Sequence, residues 1–489
     1  INVGRLASVV YFRDLSGNQA RATRGSIGIG LARQEAVLLP NEGVAANVNL
    51  DVFDVDAWNS VLAQVSRTSL ADVASTASTG PRVPEDTGAN AAASSFLPTS
   101  LAVRTRELTV AGRKLNHLVL GASRDGLLWR ANLDARQLNG YLEYRQSSDT
   151  GPGRVYARLV RLTLAPGLDR EVEAILHEQP ASIPALDIVV DDLELRGKRL
   201  GRVEVDAVNR QVAGRDGAVR EWRLNKFDIT LPEAALRASG NWAAINAQGS
   251  SGAPASVGPA EPRRTVMNFH LDVANTGDLL ARFGMKDVVR RGKGSLEGQV
   301  AWAGSPLTLD YASLGGAFSV NIESGQFLKA DPGLAKLLGV LSLQSLPRRL
   351  ALDFRDVFTE GFAFDFVRGD VRIERGIASS NNLQMKGVNA AVLMDGKADL
   401  LRETQDIRVV VVPEINAGTA SLIATAINPA IGLGSFLAQL FLRRPLMEAA
   451  TQEFHVDGSW VDPKITKVDR RALPADIASP ASDSPEAKR

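Results

Sequence analysis

The chain has 489 residues, 56 of them basic and 55 acidic, for a formal charge of +1. So even a balance offers no global field to attract nucleic acid, and the length favours several units or one elongated unit over a single compact core. Cysteine is absent, which excludes thiol catalysis, thiolate metal sites and disulfides and fits an oxidising compartment as well as a reducing one.

The chain opens at Ile1 directly on strand-like text, with neither an initiator Met nor a charged-then-apolar signal segment. It reads as a fragment or a processed product. Short alternating runs broken by Gly, Asn or Asp dominate the sequence and predict strands joined by tight turns. Residues 1–67 form one such β segment. Within it, "GSIGIGLA" from Gly25 lacks the Gly-Lys-Ser/Thr ending of a phosphate loop and reads as strand. Residues 68–99 are rich in small and breaking residues, the composition of a flexible linker.

Residues 100–245 carry an internal repeat. "LAVRTRELTVAGRKLNHLVLGA" from Leu101 aligns without a gap on "LDIVVDDLELRGKRLGRVEVDA" from Leu186, matching Leu108 to Leu193, Gly112 to Gly197 and Leu115 to Leu200. Each copy predicts a hairpin with a basic glycine turn, followed by a strand containing Trp129 or Trp222. Stacked blocks of this kind suit an extended sheet, and duplicated β-sandwich domains suit the pattern as well. The turn residues Arg113, Lys114, Lys198 and Arg199 read first as solvated hairpin tips. A second linker covers residues 246–263.

Residues 264–470 form a C-terminal β segment with two helical interruptions. Asp331 can cap a helix and Pro332 can begin it, with Leu334, Leu337, Leu338 and Leu341 at helical spacing, so a helix is expected near 332–346. The text then switches to a period of two. Phe362, Phe364 and Phe366 alternate with Ala363 and Asp365, and Val392, Met394, Val409 and Val411 belong to similar alternating sets, which puts all seven on one apolar face. A second helical zone is expected near 418–452. It has no charged residue between Glu414 and Arg443, yet Asn416, Asn428-Pro429, Gly432 and Gly434 argue for two short apolar helices and against one spanning helix. Leu437 and Phe441 belong to it. These helices either cap the last strands or touch a membrane surface. Residues 471–489 read as a disordered tail.

Catalytic patterns are missing. His117, His177, His270 and His455 are scattered, with no spacing that would hold a metal. "GLGSF" at Gly432 is not a G-x-S-x-G nucleophile elbow, since Ser435 is followed by Phe436 and no strand-to-helix turn is implied. Asp191-Asp192 and the pair Asp353 and Asp356 are conceivable glycosidase carboxylates, but such residues mostly solvate the outer faces of strands. No enzyme activity, cofactor, metal or nucleic-acid partner is expected.

Four blocks of the C-terminal third give the chain a relative. "GQFLKADPGLAKLLGVLSLQSLPRRLALDFRDVFTEGFAFD", "LQMKGVNAAVLMDGKADLLRETQDIRVVVVPEI", "NPAIGLGSFLAQLFLRRPL" and "FHVDGSWVDPKI" resemble the YhdP family of the AsmA-like superfamily. The hairpin repeat looks like that family's central region. The resemblance implies a mainly β fold, an elongated, curved antiparallel sheet forming a taco-like apolar groove. It also implies a periplasmic location, an inner-membrane anchor, and phospholipid carried from the inner to the outer membrane. The anchor helix has no counterpart in this sequence, so the chain is expected to be the C-terminal part.

On that basis Phe362, Phe364, Phe366, Val392, Met394, Val409 and Val411 become expected lipid-binding residues. Leu334, Leu337, Leu338, Leu341, Leu437 and Phe441 become expected membrane contacts. Phospholipids and the two membranes are the implied partners, with other envelope proteins as further candidates. Neighbouring strands lie about 4.8 Å apart, so about two dozen of them would make a track on the order of 100 Å long. A scaffold that binds another protein's strands by edge pairing and an enzyme acting on envelope glycans or lipids stay open beside the lipid conduit.

Overall fold

The computed structural model describes residues 2–3, 6–16, 21–31, 39–58, 60, 95–110, 112–148, 152–164, 184–195, 197–214, 217–244, 263–306, 309–328, 362–387, 390–413, 427–430, 432–443 and 451–468. The expected helix near 332–346, most of the two linkers and the tail lie outside these residues. Twenty-two strands are described, all in one sheet, and the chain divides into two compact units.

The first unit holds β1 (Asn2–Val3), β2 (Ala7–Asp14), β3 (Arg21–Ile29), β4 (Gly43–Asp54), β5 (Ser100–Val110), β6 (Arg113–Asp125), β7 (Leu128–Asp134), β8 (Leu138–Arg145), β9 (Arg154–Leu164), β10 (Ala185–Leu195), β11 (Lys198–Gly214), β12 (Gly217–Thr230) and β13 (Ala234–Ala244). β14 (Arg263–Val273) begins in this unit. The second unit holds helix α1 (Thr276–Arg282), then β15 (Val289–Ala303), β16 (Gly315–Phe327), β17 (Phe362–Glu374), β18 (Ile377–Gly387), β19 (Ala390–Asp399) and β20 (Thr404–Pro413). Helix α2 (Gly432–Arg443), β21 (Gln452–Ser459) and β22 (Pro463–Val468) complete it.

From β1 to β13 and from β15 to β22, sequence neighbours pair antiparallel with three exceptions. β3 with β4, β4 with β5, and β9 with β10 are parallel. Each exception falls where the chain between the strands is long enough to return to the starting end, as a parallel pair requires. Two of them introduce the repeat copies, so each copy enters on a parallel strand and continues as an antiparallel meander.

The two hairpins share one register at both ends, and the second shifts locally at Leu193, which pairs with Gly201. Leu101 faces Ala122 and Val110 faces Arg113 in the first; Leu186 faces Ala207 and Leu195 faces Lys198 in the second. Gly112 and Gly197 take φ of 69° and 73° in the turns, a region open to glycine without strain. Trp129 pairs with Arg124. The residue aligned with Arg124 in the second copy is Asn209, and Asn209 pairs with Trp222, so the two tryptophans occupy matching places.

Helix α2 lies against one face of the second unit. Leu433, Leu437 and Leu440 form a buried stripe that packs with Ala391, Leu393, Val410 and Val412. Gly434, Ser435, Ala438 and Gln439 face outward. This is the amphipathic division of a surface helix. Among the described residues no helix is long and apolar enough to cross a membrane.

Candidate functional site: an apolar face running across the strands

In the first unit the register aligns apolar side chains into rows perpendicular to the strands. One row runs from Ala7 through Ile29, Val48, Val103, Leu120 and Leu133. It continues through Gly140, Leu159, Val190, Val203, Ile229 and Leu236. The neighbouring row begins with Val9, Ile27, Ala46, Leu101, Ala122 and Ala131. Leu142, Ala157, Ile188, Val205, Phe227 and Ala238 complete it. Neither row contains a polar side chain from β2 to β13. At about 4.8 Å per strand each row extends on the order of 50 Å.

The opposite face of the same strands is polar. Arg158 and Arg154 meet Asp187 at 2.7 and 3.1 Å, Lys226 lies 3.6 Å from Asp228, and Arg130 lies 3.8 Å from Glu143. Asp191 of the conceivable carboxylate pair is ion-paired with Arg202 on exposed surface, and Asp192 is exposed beside it. Strand alternation explains the contrast, because successive side chains point to opposite faces. The rows persist through bulges between Asn139 and Gly140, Asp206 and Ala207, and Leu224 and Phe227, where the register shifts. A bulge inserts an extra residue and so restores the apolar phase where simple alternation would lose it.

In the second unit, Phe364, Val392, Val409 and Val411 are buried in one cluster with Ile322, Met385 and Phe454, and Met394 packs against it. Val392 pairs with Val411, and Met394 with Val409. Phe364 is 4 % exposed and stacks at 5.1 Å from Phe327. Phe362 pairs with Phe327 through its backbone.

Phe366 departs from the expected set. Its alternation partner Phe364 shares the cluster with Val367, three residues along, because the register against β18 shifts between Phe364 and Phe366. Phe366 thereby joins the face that carries α2, through the pairing series Lys386, Ala391 and Val412. There it lies under the Arg368 guanidinium at 4.1 Å.

Leu437, expected to touch a membrane, is 3 % exposed and packs against the sheet. Phe441 is half-buried beside it, and Leu442 is 84 % exposed. Leu334, Leu337, Leu338 and Leu341 lie outside the described residues, as do Asp353 and Asp356.

The α2 face also carries charge. Arg408 donates from Nε to Glu453 Oε1 at 2.5 Å. Asp395 pairs across the strands with Arg408, and its Oδ1 is buried without a hydrogen-bond partner. Burial pushes the Asp395 carboxyl above the usual carboxylate range; Arg408 opposes the shift and Glu453 adds to it.

The rows of the first unit escaped sequence reasoning because they are a property of register across strands. Within single strands the signal was present, in Leu101 and Val103 of one copy and Leu186, Ile188 and Val190 of the other.

A mainly β sheet whose first unit carries two apolar rows on one face and ion pairs on the other defines the class: a protein whose strands assemble an apolar surface. Within that class the chain belongs to the YhdP family, whose model, described as "YhdP protein", matches residues 1–465. It is similar to a protein of Escherichia coli (strain K12) named "Intermembrane phospholipid transporter YhdP", with 31 % identity over 190 residues. That alignment covers 39 % of this chain and 15 % of the relative. No solved structure matches.

Proposed function

We propose that this chain is part of a bridge carrying phospholipids across the periplasm from the inner to the outer membrane, with acyl chains moving along its apolar face. The observation that carries this reading is the pair of unbroken apolar rows from β2 to β13. A row perpendicular to the strands offers an extended hydrocarbon chain the same dry environment at each successive strand. Burial contributes about 0.8 kcal/mol per CH₂, so a chain of about sixteen carbons gains on the order of 10 kcal/mol. That is enough to compensate for leaving a bilayer only when the face replaces most of the lost contacts.

In the second unit Phe364, Val392, Met394, Val409 and Val411 belong to one packed apolar cluster, and on this reading they guide lipid only where that cluster opens. Contact with a membrane through α2 falls to Leu442 and Phe441, since Leu437 serves the sheet. Phospholipids and the two membranes are the partners implied, and other envelope proteins remain candidates.

Loading of a fluorescent phospholipid from vesicles tests the reading. Leu142→Asp places a charge in the second row at a half-buried position, where an apolar ligand would meet it. It is expected to abolish loading while the far-ultraviolet spectrum and cooperative unfolding persist, and Asn132→Asp on the opposite face is expected to load normally. Normal loading by a folded Leu142→Asp protein would overturn the proposal.

A further inference from the structure

The apolar face of the first unit has two unlike margins. At one, the ends of the strands supply Leu108 with Leu115 and Leu162 with Leu193, all aliphatic. At the other stand aromatic rings. Tyr11, in the row next to Val9, lies 5.4 Å from Phe96. Trp129 pairs with Tyr144, and the Arg124 guanidinium lies 5.8 Å over the Trp129 ring. The second repeat copy reproduces the arrangement: Trp222 pairs with Trp242, and the Arg263 guanidinium lies 5.1 Å over the Trp242 ring.

The second pair carries a further sign. Trp222 and Trp242 are 7 % and 2 % exposed, and the Nε1 of each is buried with no hydrogen-bond partner. A buried donor left without an acceptor is costly. Two such donors, paired across adjacent strands at the margin of an apolar face, match an acceptor-rich ligand whose remainder is apolar. Tryptophan and tyrosine gather where hydrocarbon meets polar headgroups for this reason, since the ring prefers the apolar side and the N–H or O–H prefers an acceptor.

We propose that the Tyr11, Trp129–Tyr144 and Trp222–Trp242 margin is the headgroup-side rim of the track. Here the ester and phosphate oxygens of a diacyl phospholipid meet the indole N–H groups and the guanidinium groups of Arg124 and Arg263. The acyl chains extend from this rim over the rows toward Leu108, Leu115, Leu162 and Leu193. The inference rests on the lipid-track reading and adds an orientation to it. The competing rim is the aliphatic margin, whose hairpin turns carry Arg113, Lys114, Lys198 and Arg199. There Lys114 is already paired with Glu107 at 2.6 Å; at the aromatic rim Arg124 donates to the Leu97 and Pro98 carbonyls, but the indole donors of Trp222 and Trp242 lack acceptors.

Two photoreactive phospholipids separate the rims in the full 489-residue chain, one with its reactive group on the headgroup and one with it at the acyl terminus. Peptide mapping after loading from phosphatidylethanolamine vesicles is expected to find the headgroup probe on peptides holding Trp129, Tyr144, Trp222 and Trp242, in several-fold excess over those holding Leu115 and Leu193. The acyl-terminal probe should show the reverse. The double substitution Trp222→Phe with Trp242→Phe keeps the rings and removes both donors. It should lower headgroup labelling at that rim and leave acyl-terminal labelling in place. Headgroup labelling concentrated at the Gly112 and Gly197 turns, or equal labelling of both rims by both probes, would overturn the orientation and leave the track standing. Absence of labelling by either probe would remove the track reading itself, and this inference with it.

Discussion

The ring of Phe364 lies over Gly325, its partner on the adjacent strand, so closely that a Cβ on Gly325 would stand 2.4 Å from Phe364 Cζ. The glycine leaves room for the ring, and the ring in turn fills the cluster between Phe327 and Val392. Gly325→Ala is therefore expected to destabilise the second unit by about 1–3 kcal/mol through overpacking. The loss should shrink in a Phe364→Leu background, which a double-mutant cycle in denaturant would measure. Equal losses in both backgrounds would mean the contact does not govern the site.

Glu233 and Arg282 form a buried ion pair, with the Glu233 side chain 5 % exposed and Arg282 Nη2 donating to Oε2 at 3.0 Å. The hydrogen bond from Arg282 holds the carboxyl below the usual range. A depressed folded pKa gives stability that is present above the unfolded value of about 4.3 and is lost as pH falls through the folded pKa. Glu233→Gln is expected to cost about 3 kcal/mol at neutral pH. The deficit should vanish as acid protonates the native carboxyl. Unfolding midpoints across the acid range check this, and a deficit independent of pH would refute it.

Asp395 carries the opposite sign. Its raised pKa means that its contribution is fully favourable below the unfolded carboxylate pKa and is lost as pH rises through the folded value. Asp395→Asn is expected to leave stability in acid nearly unchanged and to raise it at neutral pH on the order of 1 kcal/mol, since a charged acceptor with an unpaired oxygen is removed. Parallel unfolding curves at both pH values decide it. Destabilisation at neutral pH would show that the Arg408 attraction outweighs burial.

In helix α2 the residue that packs on the sheet and the residue left exposed are distinct: Leu437 is buried and Leu442 is exposed. Leu437→Ala is expected to cost about 2–5 kcal/mol, whereas Leu442→Ala should change stability by less than about 0.5 kcal/mol. If α2 also touches a bilayer, Leu442→Glu should lower vesicle flotation without lowering the unfolding midpoint. Unchanged flotation would leave α2 as a cover for the sheet alone.

Much of the fold was legible in the sequence, because alternation within a strand and glycine at a turn are local signals. The hairpins at Leu101 and Leu186, and the matching of Trp129 to Trp222, followed from them. The parallel entries at β5 and β10 were not legible, since they depend on where the intervening chain returns. Phe366 was placed on the wrong face for a similar reason: the shift beside Asp365 arises from pairing with β18, and nothing in "GFAFDF" announces it. Leu437 is expected as a membrane contact and is found packed on the sheet, because an apolar helix has the same pattern whether it meets lipid or a sheet. The apolar rows needed the whole register, bulges included, before their continuity could be seen.

The most direct measurement compares two neighbouring positions on β7, Leu133 on the apolar row and Asn132 on the opposite face. A photo-crosslinking amino acid replaces each in turn, the folded protein is loaded with phospholipid, and adducts are identified by mass. The account predicts a phospholipid adduct from position 133 and none from position 132. Equal adducts from both positions, or none from position 133 in a folded protein, would contradict it.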